Sequence, residues 1–233
     1  MKARGVKISL EGIDGSGKTT QLKLIEPELL RLGYRVYLAP DNSDASGKGI
    51  DGSILRILRK GRDRFFRLGY PTTESLLLAA RASFLDERDT VPKLERGFVV
   101  ICDRDIDTFV AYGLVSMVAK YPERDEKDLF QWLLSLVSVG RTQPDLTILF
   151  KPDLDTFLNR ATVARGRGKR DRFSSKDKIF IRSVCRYYDW LAAVNTSRIR
   201  VLDVGGKSIQ EVSQDVSALV VPFIRRYNVP TSE

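Results

Sequence analysis

Four residues of this 233-residue chain carry the sharpest chemical signal. Gly12, Gly17, Lys18 and Thr19, inside LEGIDGSGKTTQ (10–21), follow the spacing glycine, four free positions, then Gly-Lys-Ser/Thr. Glycine makes up only about 7% of ordinary residues, so a chance match in a chain this long has odds on the order of one in a hundred. Glycines there let backbone N–H groups approach an anion without side-chain interference. A helix starting at Lys18 would aim its positive end at the same anion. Gly12, Ile13, Asp14, Gly15, Ser16, Gly17, Lys18, Thr19 and Thr20 are therefore expected to hold the phosphates of ATP. Lys18 is expected to reach the β- and γ-phosphates, and the Thr19 hydroxyl to ligate Mg²⁺.

Other residue types bound the chemistry further. An apolar run, FVVIC, ends in DRD (103–105), where ligands collect in parallel sheets. Asp103 is expected to hold Mg²⁺ or its water, and Arg104 to clamp a second phosphate. Downstream, ARGRGKRDR (164–172) concentrates Arg165, Arg167, Arg170 and Arg172 around two glycines, the composition of a lid that closes over phosphates. The chain has no histidine, which excludes Ser-His and Cys-His triads and any imidazole acid or base. Cys102 and Cys185 fit neither a disulfide framework nor a zinc spacing, and Cys102 reads as a small core residue.

These residues need elements to position them. Five apolar runs read as buried strands: VKISL (6–10), RVYLA (35–39), FVVIC (98–102), LTILF (146–150) and IRVLD (199–203). They are read as continuous rather than alternating, as parallel strands covered on both faces should be. Helical patterns lie between them, such as TTQLKLIEPELLRLG, with Leu22, Ile25, Leu29 and Leu32 on one face and Gly33 as its stop. The expectation is an α/β fold, a five-stranded parallel sheet with helices on both faces. One domain over 1–233 is expected, with mobile segments near 41–70 and 164–176, the latter a lid following a helix over LDTFLNRATV.

At 42% hydrophobic and 30% charged residues, with no apolar run long enough for a bilayer and no signal peptide, a cytoplasmic protein without membrane contact is expected. The net charge of +9 invites nucleic acid as a partner. The basic clusters RILRKGRDRFFR (56–67) and ARGRGKRDR lack the interleaved aromatics of a base-stacking platform, so that partner is not expected.

The motifs together resemble the thymidylate kinases among the phosphate-loop nucleoside monophosphate kinases. The resemblance runs through LEGIDGSGKTTQ, ESLLLAARAS, ERGFVVICDRDIDTFVAY, PDLTILF, RDRF and LDVGGKSIQEV, in order and over most of the chain; DRDIDTFVAY is its specific part. It implies Mg²⁺-dependent transfer of the ATP γ-phosphoryl group to dTMP by a homodimer. It also implies that Asp14 faces the sugar 3′-hydroxyl, Arg81 the base and Arg104 the acceptor phosphate, that Tyr112 crowds out a ribose 2′-hydroxyl, and that Leu77 and Thr108 line the dTMP site. Arg165 and Arg172 match the family lid best.

The departures from the family are informative. The segment APDNSDASGKG after the second strand lacks the family arginine, so a contact to the acceptor phosphate is either missing or supplied from RKGRDR. Leu77 stands where a base-stacking phenylalanine is usual, Asp105 where an aromatic often follows Asp-Arg, and Gly113 for a frequent glutamine. Relaxed selectivity toward dUMP is expected. Two rivals share the phosphate loop. One is a deoxynucleoside kinase, which would need a carboxylate base such as Glu11; the other is a nucleic-acid-associated ATPase.

Overall fold

The structure, a computed structural model, describes residues 4–40, 49–61, 63–160, 162–165 and 169–231, with the backbone alone over 159–172. Strands β1 (Val6–Glu11), β2 (Val36–Leu38), β3 (Val99–Asp103), β4 (Leu146–Lys151) and β7 (Ile199–Asp203) form one parallel sheet in the order β2-β3-β1-β4-β7. Strands β5 (Thr162–Arg165) and β6 (Lys169–Arg172) make a separate antiparallel hairpin.

One face of the sheet is built from Val6, Ile8, Leu10, Val99, Ile101, Ile148 and Phe150. It packs against α1 (Lys18–Arg31), through Leu22, Ile25 and Leu29, and α9 (Ile209–Arg226), through Val212, Val216, Val220 and Ile224. The second face is covered by α5 (Ile106–Lys120) and α8 (Ser175–Val194), with α6 (Glu126–Leu136) behind α5. Among the described residues the other α-helices are α2 (Ile50–Leu58), α3 (Pro71–Leu85), α4 (Val91–Glu95) and α7 (Leu154–Arg160). Among the described residues no helix is long and apolar enough to cross a membrane.

Two expectations are corrected. β1 alternates rather than running continuously apolar: Lys7, Ser9 and Glu11 are all 0% exposed between the apolar positions. Buried polar groups require partners, and the second face of the sheet supplies them. Within the segment expected to be mobile, 41–70, α2 occupies Ile50–Leu58 with Ile54, Leu55 and Leu58 buried; residues 41–48 and Arg62 lie outside the described residues. The helix before the arginine-rich segment ends at Arg160. The β-branched pair Thr162 and Val163 opens β5 instead, and the register pairs Thr162 with Arg172 and Arg165 with Lys169. The expected lid is thus a hairpin in its backbone, while Gly166, Arg167 and Gly168 lie outside the described residues.

Candidate active site

The glycine-rich loop joins β1 to α1, as its spacing predicts. Gly12 has φ of +131°, and a Cβ there would sit 2.6 Å from the Phe150 carbonyl oxygen, so only glycine fits. Gly17 is the N-cap of α1 with φ of +97°, and no side chain caps the helix. Its first amides are therefore free to bind an anion. Ile13 is 1% exposed with its side chain in the core, so only its backbone belongs to the loop. The Lys18 ammonium lies under the loop and donates to the Ile13 carbonyl at 2.9 Å. Burial, with Arg104 nearby, lowers its pKa to about 8. A polyanion bound beside it favours the charged form that burial disfavours.

Sheet register explains how the second strand end joins this loop. β3 lies beside β1 with Asp103 opposite Leu10, which brings Asp103 to Thr19 at the first turn of α1; the Thr19 hydroxyl donates to Asp103 Oδ2 at 2.5 Å. A hydroxyl and a carboxylate are the oxygen donors that a hard cation such as Mg²⁺ takes. Among the described residues no cluster of three or more His, Cys, Asp or Glu side chains could hold a metal. A divalent ion at Thr19 and Asp103 would therefore complete its shell with water and phosphate oxygens, which is the habit of Mg²⁺.

Arg104 continues the ladder by donating its backbone N–H to Leu10 O at 3.0 Å, then adopts φ of +75°. A left-handed non-glycine residue costs about 1 kcal/mol or more, and such strain collects at functional sites. Here it carries the guanidinium onto Asp14, within 3.5 Å of the Thr108 hydroxyl and 5.3 Å from the centre of the Tyr112 ring. The Tyr112 hydroxyl is buried with no hydrogen-bond partner among the described residues. Arg81 is 3% exposed on α3. Leu77, on the same helix, packs against Ile54, Leu55 and Leu58 with Phe66 and Leu68, offering an apolar flank. Thr20 lines a cleft together with Gly15, Ser16 and Gly17. Arg165 and Arg172 fall at opposite ends of the hairpin strands, Arg165 closing β5 and Arg172 closing β6.

Glu11 binds these elements together. Its Oε1 accepts from the Ser9 hydroxyl at 2.6 Å and from Asp105 N at 2.7 Å, while Oε2 accepts from Thr108 and from the Tyr188 hydroxyl at 3.4 Å. Burial first, and the nearby Asp107 second, push its pKa up to about 7. The folded state then binds a proton that the unfolded chain releases at its ordinary 4.5. Stability from this group is full below that value and is lost as pH rises through 7. Glu11→Gln cannot titrate. Relative to wild type, its urea-derived unfolding free energy should improve by about 2–3 kcal/mol between pH 4.5 and pH 8. A constant difference across that range would refute the assignment.

Two departures from the family acquire structural reasons. Asp105 is held by Lys7 at 2.8 Å and by Arg141, and Asp86 joins both cations at 3.1 Å, closing a buried four-charge network beneath α5. Gly113 lies where α5 meets α6; a Cβ there would come within 3.1 Å of a Leu133 methyl group, so any side chain requires Leu133 to shift. Cys102 is buried against Leu94 and Val100, and burial raises its thiol pKa, as a core residue requires.

The structure also shows a cleft that motif spacing did not assign. Beside Gly15, Ser16 and Gly17, a cavity of about 210 Å³ is walled by Phe157, Val204, Lys207, Ser208 and Ile209, with Gln21 tying α1 to the head of α9 through Ile209 O at 3.0 Å. A local signal existed: Ser208 and Glu211 form a capping box, legible as S-x-x-E, which marks where α9 begins beside the loop.

Comparison with known proteins agrees with this geometry. The family model described as thymidylate kinase matches residues 10–216. A thymidylate kinase of Pelobacter propionicus is 34% identical, covering 93% of this chain and 94% of that protein. One from Ruegeria pomeroyi is 33% identical, covering 97% and 99%. The solved thymidylate kinase of Candida albicans, 24% identical, shares the fold with a TM-score of 0.71 over 96% of this chain and 94% of that one. A phosphate loop facing an Asp-Arg strand end, on a chain matched along nearly its whole length, places the protein in the thymidylate kinase family, as a phosphotransferase of the nucleoside monophosphate kinase type.

Proposed function

We propose that the protein transfers the γ-phosphoryl group of ATP to dTMP, giving dTDP and ADP, as a cytoplasmic homodimer. The observation that carries this reading is the convergence of two phosphate-binding devices at the neighbouring ends of β1 and β3. One is the loop with Lys18; the other is Arg104 braced by Asp14. Two anions brought to one place are what a phosphoryl transfer between nucleotides requires.

The attacking atom is an acceptor phosphate oxygen, ionised at neutral pH, so the lack of histidine is no handicap. The loop amides and Lys18 hold the donor phosphates, Thr19 and Asp103 hold Mg²⁺, and Arg104 orients the acceptor phosphate in line. Bound Mg²⁺ supplies charge neutralisation on the donor oxygens. Asp14 and Tyr112 bear on the sugar, and Arg81 with Leu77 on the base. Closure of the arginine-rich hairpin excludes water, which would otherwise take the phosphoryl group. The cleft beside Gly15–Gly17 suits the donor base. A deoxynucleoside kinase would need a carboxylate to deprotonate a sugar hydroxyl. Glu11, the candidate base, has both oxygens engaged by Ser9, Asp105 N–H, Thr108 and Tyr188.

The test is a screen of nucleoside monophosphates and thymidine with ATP and Mg²⁺, following ADP release. Turnover confined to thymidine, or none with any acceptor, would overturn the reading. Light scattering gives the oligomeric state. Leu77 gives a further prediction, because it provides apolar contact but no aromatic face. One methyl in an apolar pocket is worth roughly 10–200-fold in kcat/KM. We expect dUMP to fall within that range of dTMP, and Leu77→Phe to widen the gap severalfold. Rejection of dUMP by several orders of magnitude in the wild type would contradict this.

A further inference from the structure

Arg64 stands out among the cations near the site. Its side chain is only 6% exposed, and its Nη1 is buried with no hydrogen-bond partner among the described residues. Among the described residues its ion-pair partner is Asp177, 3.8 Å from Nε. That carboxylate already accepts from Ser174 N at 3.0 Å in the capping box of α8, and it also faces Arg67 at 3.6 Å. Arg67 has a carboxylate of its own, Asp63, at 2.7 Å. Buried guanidinium donors are ordinarily satisfied, so one left open in a rigid setting points to an absent oxyanion.

The setting is rigid and in the right place. Asp63 Oδ1 accepts from Phe65 N at 2.8 Å and from Arg67 N at 3.3 Å, and Phe66 has φ of +59°, so the turn around Arg64 is fixed by its own hydrogen bonds. On one side Phe65 lies 5.8 Å from Tyr112, whose ring is beneath Arg104. On the other side Arg64 stacks 5.1 Å over Phe173, the residue after β6, and Phe173 lies 6.0 Å from Phe157 in the wall of the donor cleft. Arg64 is therefore linked through Phe65 to the ring beneath Arg104 and through Phe173 to the wall of the donor cleft, at the foot of the hairpin. Within RKGRDR it differs from Arg59 and Lys60, which are exposed.

We infer that Arg64 is a nucleotide-phosphate contact, its guanidinium held at the seam between the 63–68 turn and the head of α8 for a phosphate oxyanion of bound nucleotide. The inference rests on the proposed function, which supplies two such anions, the acceptor monophosphate and the donor triphosphate. Planar guanidinium donors match phosphate oxygens, and a fixed fork loses little freedom on binding.

Calorimetric titration of wild type, Arg64→Gln and Arg64→Lys with dTMP, with thymidine and with a non-hydrolysable ATP analogue tests this, with thermal unfolding as a check on the fold. Arg64→Gln should weaken one phosphate-bearing ligand at least tenfold while thymidine affinity moves less than twofold, and Arg64→Lys should recover part of the loss. A loss on dTMP assigns the acceptor phosphate; a loss on the ATP analogue alone assigns the donor. Unchanged affinity for both, or parallel loss of dTMP and thymidine, overturns the inference. If Arg64→Gln does not fold, the same comparison on Arg64→Lys decides, since its ammonium lacks the fork. A wild type that binds the ATP analogue but not dTMP would instead sink the proposed acceptor, leaving Arg64 to be judged on the donor arm.

Discussion

Lys18→Ala is expected to lower kcat by roughly a hundred- to thousandfold while the protein stays folded. The ammonium sits under the phosphate loop with the Ile13 carbonyl at 2.9 Å and only 5% exposure, so it is positioned before any nucleotide arrives. Charge that develops on the transferring group is then met without reorganisation. Stability should suffer little, because burial already disfavours this cation and lowers its pKa to about 8. The sign of the pH dependence follows. A bound triphosphate favours protonated Lys18, so affinity for an ATP analogue should be flat below pH 8 and fall up to tenfold per unit above it. Lys18→Ala should remove that slope. Near-normal turnover in a folded Lys18→Ala protein would defeat the phosphate-loop assignment, and affinity rising above pH 8 would defeat the protonation argument.

The second large effect is expected from the hairpin. The loop reads Asp14-Gly15-Ser16-Gly17 before Lys18, with nothing basic among the four. An arginine placed on a transferring phosphoryl group can contribute roughly a thousandfold or more in rate. We propose that one or two of Arg165, Arg167, Arg170 and Arg172 supply it, Arg165 and Arg172 first. The backbones of Arg165, which closes β5, and Arg172, which closes β6, belong to a separate two-stranded unit outside the main sheet. Such a unit can close without disturbing the core. Single Arg→Ala variants should lose turnover strongly, with dTMP affinity measured without ATP little changed. Rapid-quench single-turnover kinetics, which isolate chemistry from product release, are the measurement. Four single variants with wild-type turnover would show that the charge comes from elsewhere.

Local pattern in the sequence determined the sheet strands, α1 and the glycine-rich loop between β1 and α1. The phosphate loop is legible because its demands are local: glycines at set spacing, then a helix whose first amides face the anion. The sheet strands showed as short apolar runs, and α1 by Leu22, Ile25 and Leu29. The hairpin was less legible, because an arginine- and glycine-rich stretch has no apolar period to separate strand from loop. Pairings across the sheet could be decided only in three dimensions. Thr19 meets Asp103 across 84 residues because β3 lies beside β1 with Asp103 opposite Leu10, and strand order is not written in any one strand. Burial of β1 on both faces was expected, but pattern could not name what meets Lys7, Ser9 and Glu11; only the cover of α5 and α8 brings Asp86, Asp105, Thr108 and Tyr188 to them. The same holds for Arg64: its charge is plain in RKGRDR, but being closed in by Phe173 and Asp177 is a property of the packed chain. Residue type fixes what a group can do, whereas burial and partner, set by elements far apart in sequence, fix what it is left free to do.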